Sequence, residues 1–522
     1  MLSRLNLRSG PPAPDSKSQF DPSSALRRLD AAYLADRFLF TKEFEISVRT
    51  NNDALLSTHL LCMTNIVSFS ADFANTDAPH TCSALSDLPS RTFRDLELHV
   101  AGDTSLDAYG NYWWGGLSSR EISPNRFKWP DLSHFQNLRS LKLFGLDGFM
   151  SRLAHDIAII LVASPQLKVL GVGMHLNSFL KNYRLRHITI ETDKKLLIRD
   201  IIDEMQKLRP DNNPQLNLEE LILGLGALPG TPLKVDETIQ DLSPLTKLEN
   251  LQVLQLVNGD TAGFEDQDIL DIEPQAFYSC TKLRRLVVDV LSDDIVDLIE
   301  TLRSTSVNLV ELEVSREQNP SRTSLIRLPN QLAKIGSHWK KMHLEFSSAM
   351  QDLFGSQIYH GAYLNLEELS LAVTATVKDS KVWFDVREPW NLIFTQMPHL
   401  PRLHYLLLNF NQTVHPFVAS HLVTSLFTTH EDTMHAQNLP SDFMTATFKS
   451  PGQEVTTFER IFVPAGVEEE GSKVETGRDW KLVETVGKGN EGVVWGEFFR
   501  ILSEAPFEFL LQSREGRERQ MD

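Results

Sequence analysis

The chain has 522 residues, of which 41% are hydrophobic, so it can bury a large core. Its 51 Lys plus Arg stand against 69 Asp plus Glu, a formal net charge of −18. That overall field repels a phosphate backbone and excludes nucleic acid as a partner unless a local basic patch exists, while it suits a protein partner with a basic surface.

Residues 1–24 are rich in Pro and Ser, the composition of a disordered tail. Residues 25–100 are expected to form an N-terminal cap with degenerate repeats. SALRRLDAAYLADRFLF, from Ser24, has helical apolar spacing, and FEISV alternates Phe44, Ile46 and Val48 as a strand does. A short helix over Leu55 to Met63 and a strand in NIVSFSAD follow. Phe93, Leu96 and Leu98 then stand at i, i+3 and i+5. Residues 101–137 break the spacing. Tyr109, Tyr112, Trp113, Trp114 and Trp129 lie there among glycines and polar residues, in a stretch too long for a simple connection. Tyr112, Trp113 and Trp114 are candidate binding hot spots, with packing onto the cap as the alternative.

From residue 138 to 411 the L-x-x-L-x-L spacing of a leucine-rich repeat recurs. TKLENLQVLQLVNG contains its clearest copy, Leu251/Leu254/Leu256. The others are Leu138/Leu141/Leu143, Leu167/Leu170/Val172, Leu185/Ile188/Ile190, Leu218/Leu221/Leu223 and Leu283/Leu286/Val288. Leu309/Leu312/Val314, Trp339/Met342/Leu344, Leu366/Leu369/Leu371 and Leu403/Leu406/Leu408 continue the series. The mean period is about 29 residues. IIDEMQKL and DDIVDLIETLRS supply helices between strands, whereas the short step before Leu185 leaves room for a strand and loop only. The predicted fold is therefore α/β: a leucine-rich-repeat solenoid with a curved parallel sheet on its concave face, helices and loops on its convex face, and a small C-terminal α+β extension. In that extension, residues 412–512, HPFVASHLVTSLF reads as a capping helix and MTATF with FERIFV as a hairpin. DWKLVETV reads as strand or helix, and 513–522 as a polar tail.

No sequence motif argues for an enzyme, a cofactor or a metal. GKGNEGVV fits a kinase glycine-rich loop, but no V-A-I-K, H-R-D or D-F-G follows it. HEDTMH spaces its histidines five apart, which puts them on different helix faces. GFEDQDILDIE lacks the sixth-position glycine of a calcium loop, and its acids suit a helix N-terminus or a loop that meets a basic partner. Cys62, Cys82 and Cys280 are far apart with no C-x-x-C pair, which fits a reducing compartment. No apolar run reaches the ~18 residues of a membrane span and no signal-peptide core follows Met1, so the expected location is cytoplasmic or nuclear and the membrane is not a partner.

Function is then left to the residues that alternate with the leucines, because successive strand residues point to opposite faces. Lys142, Phe144, Glu220, Gln255, Arg285, Asp289, Glu313, Lys341, His343, Glu345 and Tyr405 form a mixed row suited to a protein or peptide ligand. The repeats, irregular at their ninth position, resemble those of the divergent fungal F-box/leucine-rich-repeat family over about Ala31 to Asn411. The resemblance implies a non-enzymatic substrate receptor of a cullin-type ubiquitin ligase. A Skp-type adaptor and cullin would bind only if an F-box were supplied, because no F-box block is recognisable: Leu88-Pro89, the nearest signal, runs straight into the Phe93 strand. The alternative is a stand-alone adaptor without a ligase role.

Overall fold

A computed structural model of the chain describes residues 4–7, 43–48, 57–58, 60–74, 79–88, 92–101, 132–146, 150–174, 197–209, 215–224, 242–257, 272–288, 293–306, 308–314, 322–334, 336–345, 356–358, 360–373, 400, 402–403, 405–410, 445–449, 456–463 and 479–486. The chain divides into two compact units, Met1–Leu283 and Arg284–Asp522.

In the first unit the strands are β1 (Arg4–Leu7), β2 (Glu43–Val48), β3 (Ser68–Ala74) and β4 (Asp95–Ala101). They continue as β5 (Ser140–Leu146), β6 (Val169–Met174), β7 (Glu220–Gly224) and β8 (Val253–Val257). Each pairs in parallel with the next in chain order. Helices α1 (Pro79–Ser86), α2 (Met150–Ala163) and α3 (Leu197–Leu208) lie on connections between strands. In the second unit β9 (Arg285–Val288), β10 (Glu311–Val314), β11 (Lys341–Glu345), β12 (Glu368–Val373), β13 (Tyr405–Phe410) and β14 (Thr445–Lys449) are again parallel in chain order. Two antiparallel strands, β15 (Thr456–Val463) and β16 (Asp479–Val486), follow. Helices α4 (Asp293–Thr305) and α5 (Arg322–Lys334) connect β9 to β10 and β10 to β11. Each unit is thus an open, largely parallel α/β sheet, an arrangement compatible with a solenoid.

Register follows from the apolar spacing. Leu96, Leu141, Leu170, Leu221 and Leu254 are successive register partners in the first unit, as are Leu98, Leu143, Val172, Leu223 and Leu256. All ten side chains are buried. The second unit repeats this with Leu286, Leu312, Met342 and Leu369, again all buried. Burying one such side chain contributes about 2 kcal/mol, and a one-residue slip would turn a whole strand's apolar set to the wrong face.

The backbone enforces the same register at the start of each strand. Arg139 N donates to Arg94 O (2.7 Å), Lys168 N to Arg139 O (2.8 Å), Glu219 N to Lys168 O (2.8 Å) and Gln252 N to Glu219 O (2.8 Å). The residue after each donor bonds to the same carbonyl, so one oxygen orients two successive N–H groups of the next strand. In the second unit the relay runs from Arg284 O to Val310 N (3.0 Å), Val310 O to Lys340 N (2.9 Å) and Lys340 O to Glu367 N (2.8 Å). Side chains reinforce it in the first unit, where Asn250 Nδ2 donates to Asn217 Oδ1 at 2.9 Å and Lys282 Nζ to Asn250 Oδ1 at 2.8 Å.

The two helices expected between the leucine-spaced strands, in IIDEMQKL and DDIVDLIETLRS, are present. α3 contains IIDEMQKL and buries Leu197, Ile198, Ile201, Ile202 and Met205. α4 starts with Asp293 and Asp294 in its first turn, where carboxylates complement the helix dipole, and buries Ile295, Val296, Leu298, Ile299 and Leu302. α2 packs on α3, with His155 Nδ1 2.8 Å from Glu204 Oε2. α4 packs on α5, where Arg327 pairs with Asp297 and Glu300.

Several expectations need correction. Leu185/Ile188/Ile190 lies outside the described residues, and β6 pairs directly with β7, where Glu219 N reaches Lys168 O. α3 lies on the connection from β6 to β7. Arg4–Leu7, within the stretch read as a disordered tail, forms β1, with Leu5 and Leu7 in register with Phe44 and Ile46. The physical reason is local: Leu2, Leu5 and Leu7 have the same i, i+3, i+5 spacing, and the Pro-Pro comes after them. Ile66, Phe69 and Ala71 are a further triplet, all buried, disguised by its Phe and Ala. Past Asn411, β14 adds another parallel strand, with Ala446 and Phe448 in register with Leu406 and Leu408. The hairpin of β14 and β15 is as expected, and DWKLVETV is strand. The helices expected from Ser24 and in HPFVASHLVTSLF, and residues 185–190 themselves, lie outside the described residues. Among the described residues no helix is long and apolar enough to cross a membrane.

Leu254→Ala should cost about 3 kcal/mol in urea denaturation, because it opens a cavity in the middle of a buried row. Gly336→Ala should cost more than about 2 kcal/mol. A Cβ at Gly336 would lie 1.9 Å from Ala362 O, a backbone atom that cannot swing aside. An unchanged denaturation midpoint for either variant would contradict the packing described.

Candidate functional site

Alternation along the strands puts Asp95, Glu97 and His99 of β4, Ser140, Lys142 and Phe144 of β5, Glu220 of β7 and Gln255 of β8 on the face opposite the buried leucines. All eight are half-buried, while the leucines between them are sealed. His99 Nε2 lies 2.8 Å from Glu97 Oε1, and Lys142 Nζ lies 3.7 Å from Glu97 Oε2. The His99 and Phe144 rings stack at 5.0 Å with a 31° tilt. Gln255 Nε2 donates to Glu220 Oε1 at 2.8 Å.

The position of Phe144 is set by what β6 lacks. The outward residues of β6 include Gly171 and Gly173, and a Cβ on Gly171 would come within 2.9 Å of Phe144 Cζ. A Cβ on Gly173 would meet Phe144 Cδ1 at 3.1 Å. The ring therefore lies over glycine backbone, flanked by His99 on one side. Asp95, Glu97 and His99 are absent from the row read from sequence. The signal was there, because Phe93/Leu96/Leu98 fixes their outward alternation.

In the second unit the corresponding residues meet one another. Arg285 Nη2 lies 3.0 Å from Glu313 Oε2, and Arg284 Nη2 lies 3.0 Å from Glu311 Oε1. Lys341 Nζ lies 3.1 Å from Glu368 Oε1, and His343 Nδ1 lies 2.6 Å from Ser370 Oγ. Glu311, Lys341 and Glu368 are register partners, so opposite charges alternate across three strands. Glu311, Glu313, Lys341, His343, Glu368 and Ser370 are all buried. Of the row expected to face solvent, Glu313, Lys341 and His343 do not reach it; they are buried and pair laterally with Arg285, Glu368 and Ser370.

No protein-family model matches this chain, and no curated protein matches it either.

Burial makes the second cluster electrostatically unusual. Glu368 is 0% exposed, and Lys341 Nζ is the cation that faces its carboxylate. Desolvation pushes its carboxyl above the usual range against the opposing pull of Lys341. Desolvation also pushes the His343 imidazole down to about 4, so it is neutral at pH 7. The buried Cys280 thiol is pushed up to about 12, which makes it unreactive. Among the described residues no group of three or more His, Cys, Asp or Glu is placed to hold a metal ion.

Asp289, Tyr112, Trp113, Trp114, HEDTMH and GKGNEGVV lie outside the described residues. Glu345 and Tyr405 are placed by backbone only, in β11 and β13. Of GFEDQDILDIE only Ile272 and Glu273 are described. Glu273 Oε1 accepts from Gln275 N at 3.3 Å and caps the short helical turn Pro274–Phe277, the helix-terminal role expected for these acids.

Lys341→Met should destabilise the second unit by about 3 kcal/mol, because it strands a buried carboxyl, and adding Glu368→Leu should restore most of the loss. The pair can be separated by chemical denaturation, and an additive double mutant would contradict the pairing. The His343 contribution has a defined sign. Its folded-state pKa is depressed, so the unfolded chain binds a proton first and stability falls as pH drops from about 6.5 towards 4, by about 3 kcal/mol. Glu368, shifted upward, has the opposite slope. The stability difference between wild type and His343→Gln should therefore shrink between pH 7 and pH 4; a constant difference would contradict a neutral buried imidazole.

Proposed function

We propose that the chain is a leucine-rich-repeat protein that acts as a non-enzymatic recognition scaffold, holding a protein or peptide on the strand face of its first unit. The observation that carries this reading is the contrast between the two units. The outward residues around Glu97, His99, Lys142, Phe144 and Gln255 keep contact with solvent, with 26% of the Lys142 side chain and 39% of His99 exposed. Their counterparts in the second unit are taken up by buried pairs. Polar groups interleaved with an aromatic ring are the composition of a protein interface. A partner with a basic surface suits the net charge of −18 and the register positions of Glu43, Glu45, Asp95 and Glu97 on β2 and β4.

Resemblance to F-box/leucine-rich-repeat proteins supports a more specific role within that reading, as substrate receptor of a cullin-type ubiquitin ligase. The stand-alone adaptor differs from it in one respect, the absence of Skp-type adaptor and cullin from the complex.

Affinity purification of the full chain from native extract, alongside a Lys142→Ala, Phe144→Ala, Gln255→Ala variant, tests both levels. The triple variant should lose its specific partners at least tenfold in recovered amount while keeping the wild-type denaturation midpoint within about 1 kcal/mol. Partners retained by the variant would remove the strand face from the account. Partners recovered without Skp-type adaptor or cullin would remove the ligase role and leave the adaptor.

A further inference from the structure

We draw no further inference here: the strongest candidate, the buried side-chain cluster of Glu311, Lys341, His343 and Glu368 on the strand face of the second unit, rests for any switching role on titration alone.

Discussion

Each parallel ladder depends on one constraint, the lateral match of apolar side chains between neighbouring strands. A strand in such a ladder can satisfy its backbone against its neighbour in more than one register, since the hydrogen-bonding groups repeat along the chain. The apolar residues do not allow that freedom. Leu170 is sealed with Leu141 and Leu221 as its register partners on either side. The shared carbonyl at the head of each strand, such as Lys168 O receiving both Glu219 N and Glu220 N, then fixes where the next strand begins. Packing and backbone agree on one register, and the helices are accommodated in whatever length of chain lies between.

That constraint leaves the other face of the sheet under weaker control. Any residue can alternate with the leucines provided its polar groups are satisfied, and the two units meet this condition differently. Around β4 to β8 the outward polar residues stay half-buried, Ile222 of β7 is buried, and glycines in β6 give the Phe144 ring its place. Around β9 to β12 opposite charges alternate in register and pair with one another largely out of water. A buried ion pair of this kind adds little net stability, since desolvation offsets much of the attraction, but losing one partner is costly. Such a row is better suited to holding register than to meeting a ligand. The half-buried row is the one that keeps contact with solvent.

How much of this could be read from the chain depended on which residue types carried the signal. Leucine triplets such as Leu218/Leu221/Leu223 gave strand, register and burial together, because spacing alone decides which side chains can stack. Ile66/Phe69/Ala71 and Leu2/Leu5/Leu7 obey the same spacing, but Ala is a weak apolar marker and the nearby Pro-Pro suggested disorder. The strand face was legible only as a list of outward positions. Whether Lys341 or Lys142 reaches solvent depends on partners about thirty residues away or more, Glu368 in one case and Glu97 in the other, and alternation along a single strand does not contain that information.

The most direct test of the shared register is amide hydrogen exchange on the full chain, read on short peptides at the heads of the strands. Lys168 to Leu170 and Glu219 to Leu221 should exchange slowly and at matched rates, because each segment is held by the carbonyl before it in the relay. Rapid exchange at Glu219 to Leu221, with protection instead over 185–190, would contradict the direct pairing of β6 with β7 and with it the ladder on which the account rests.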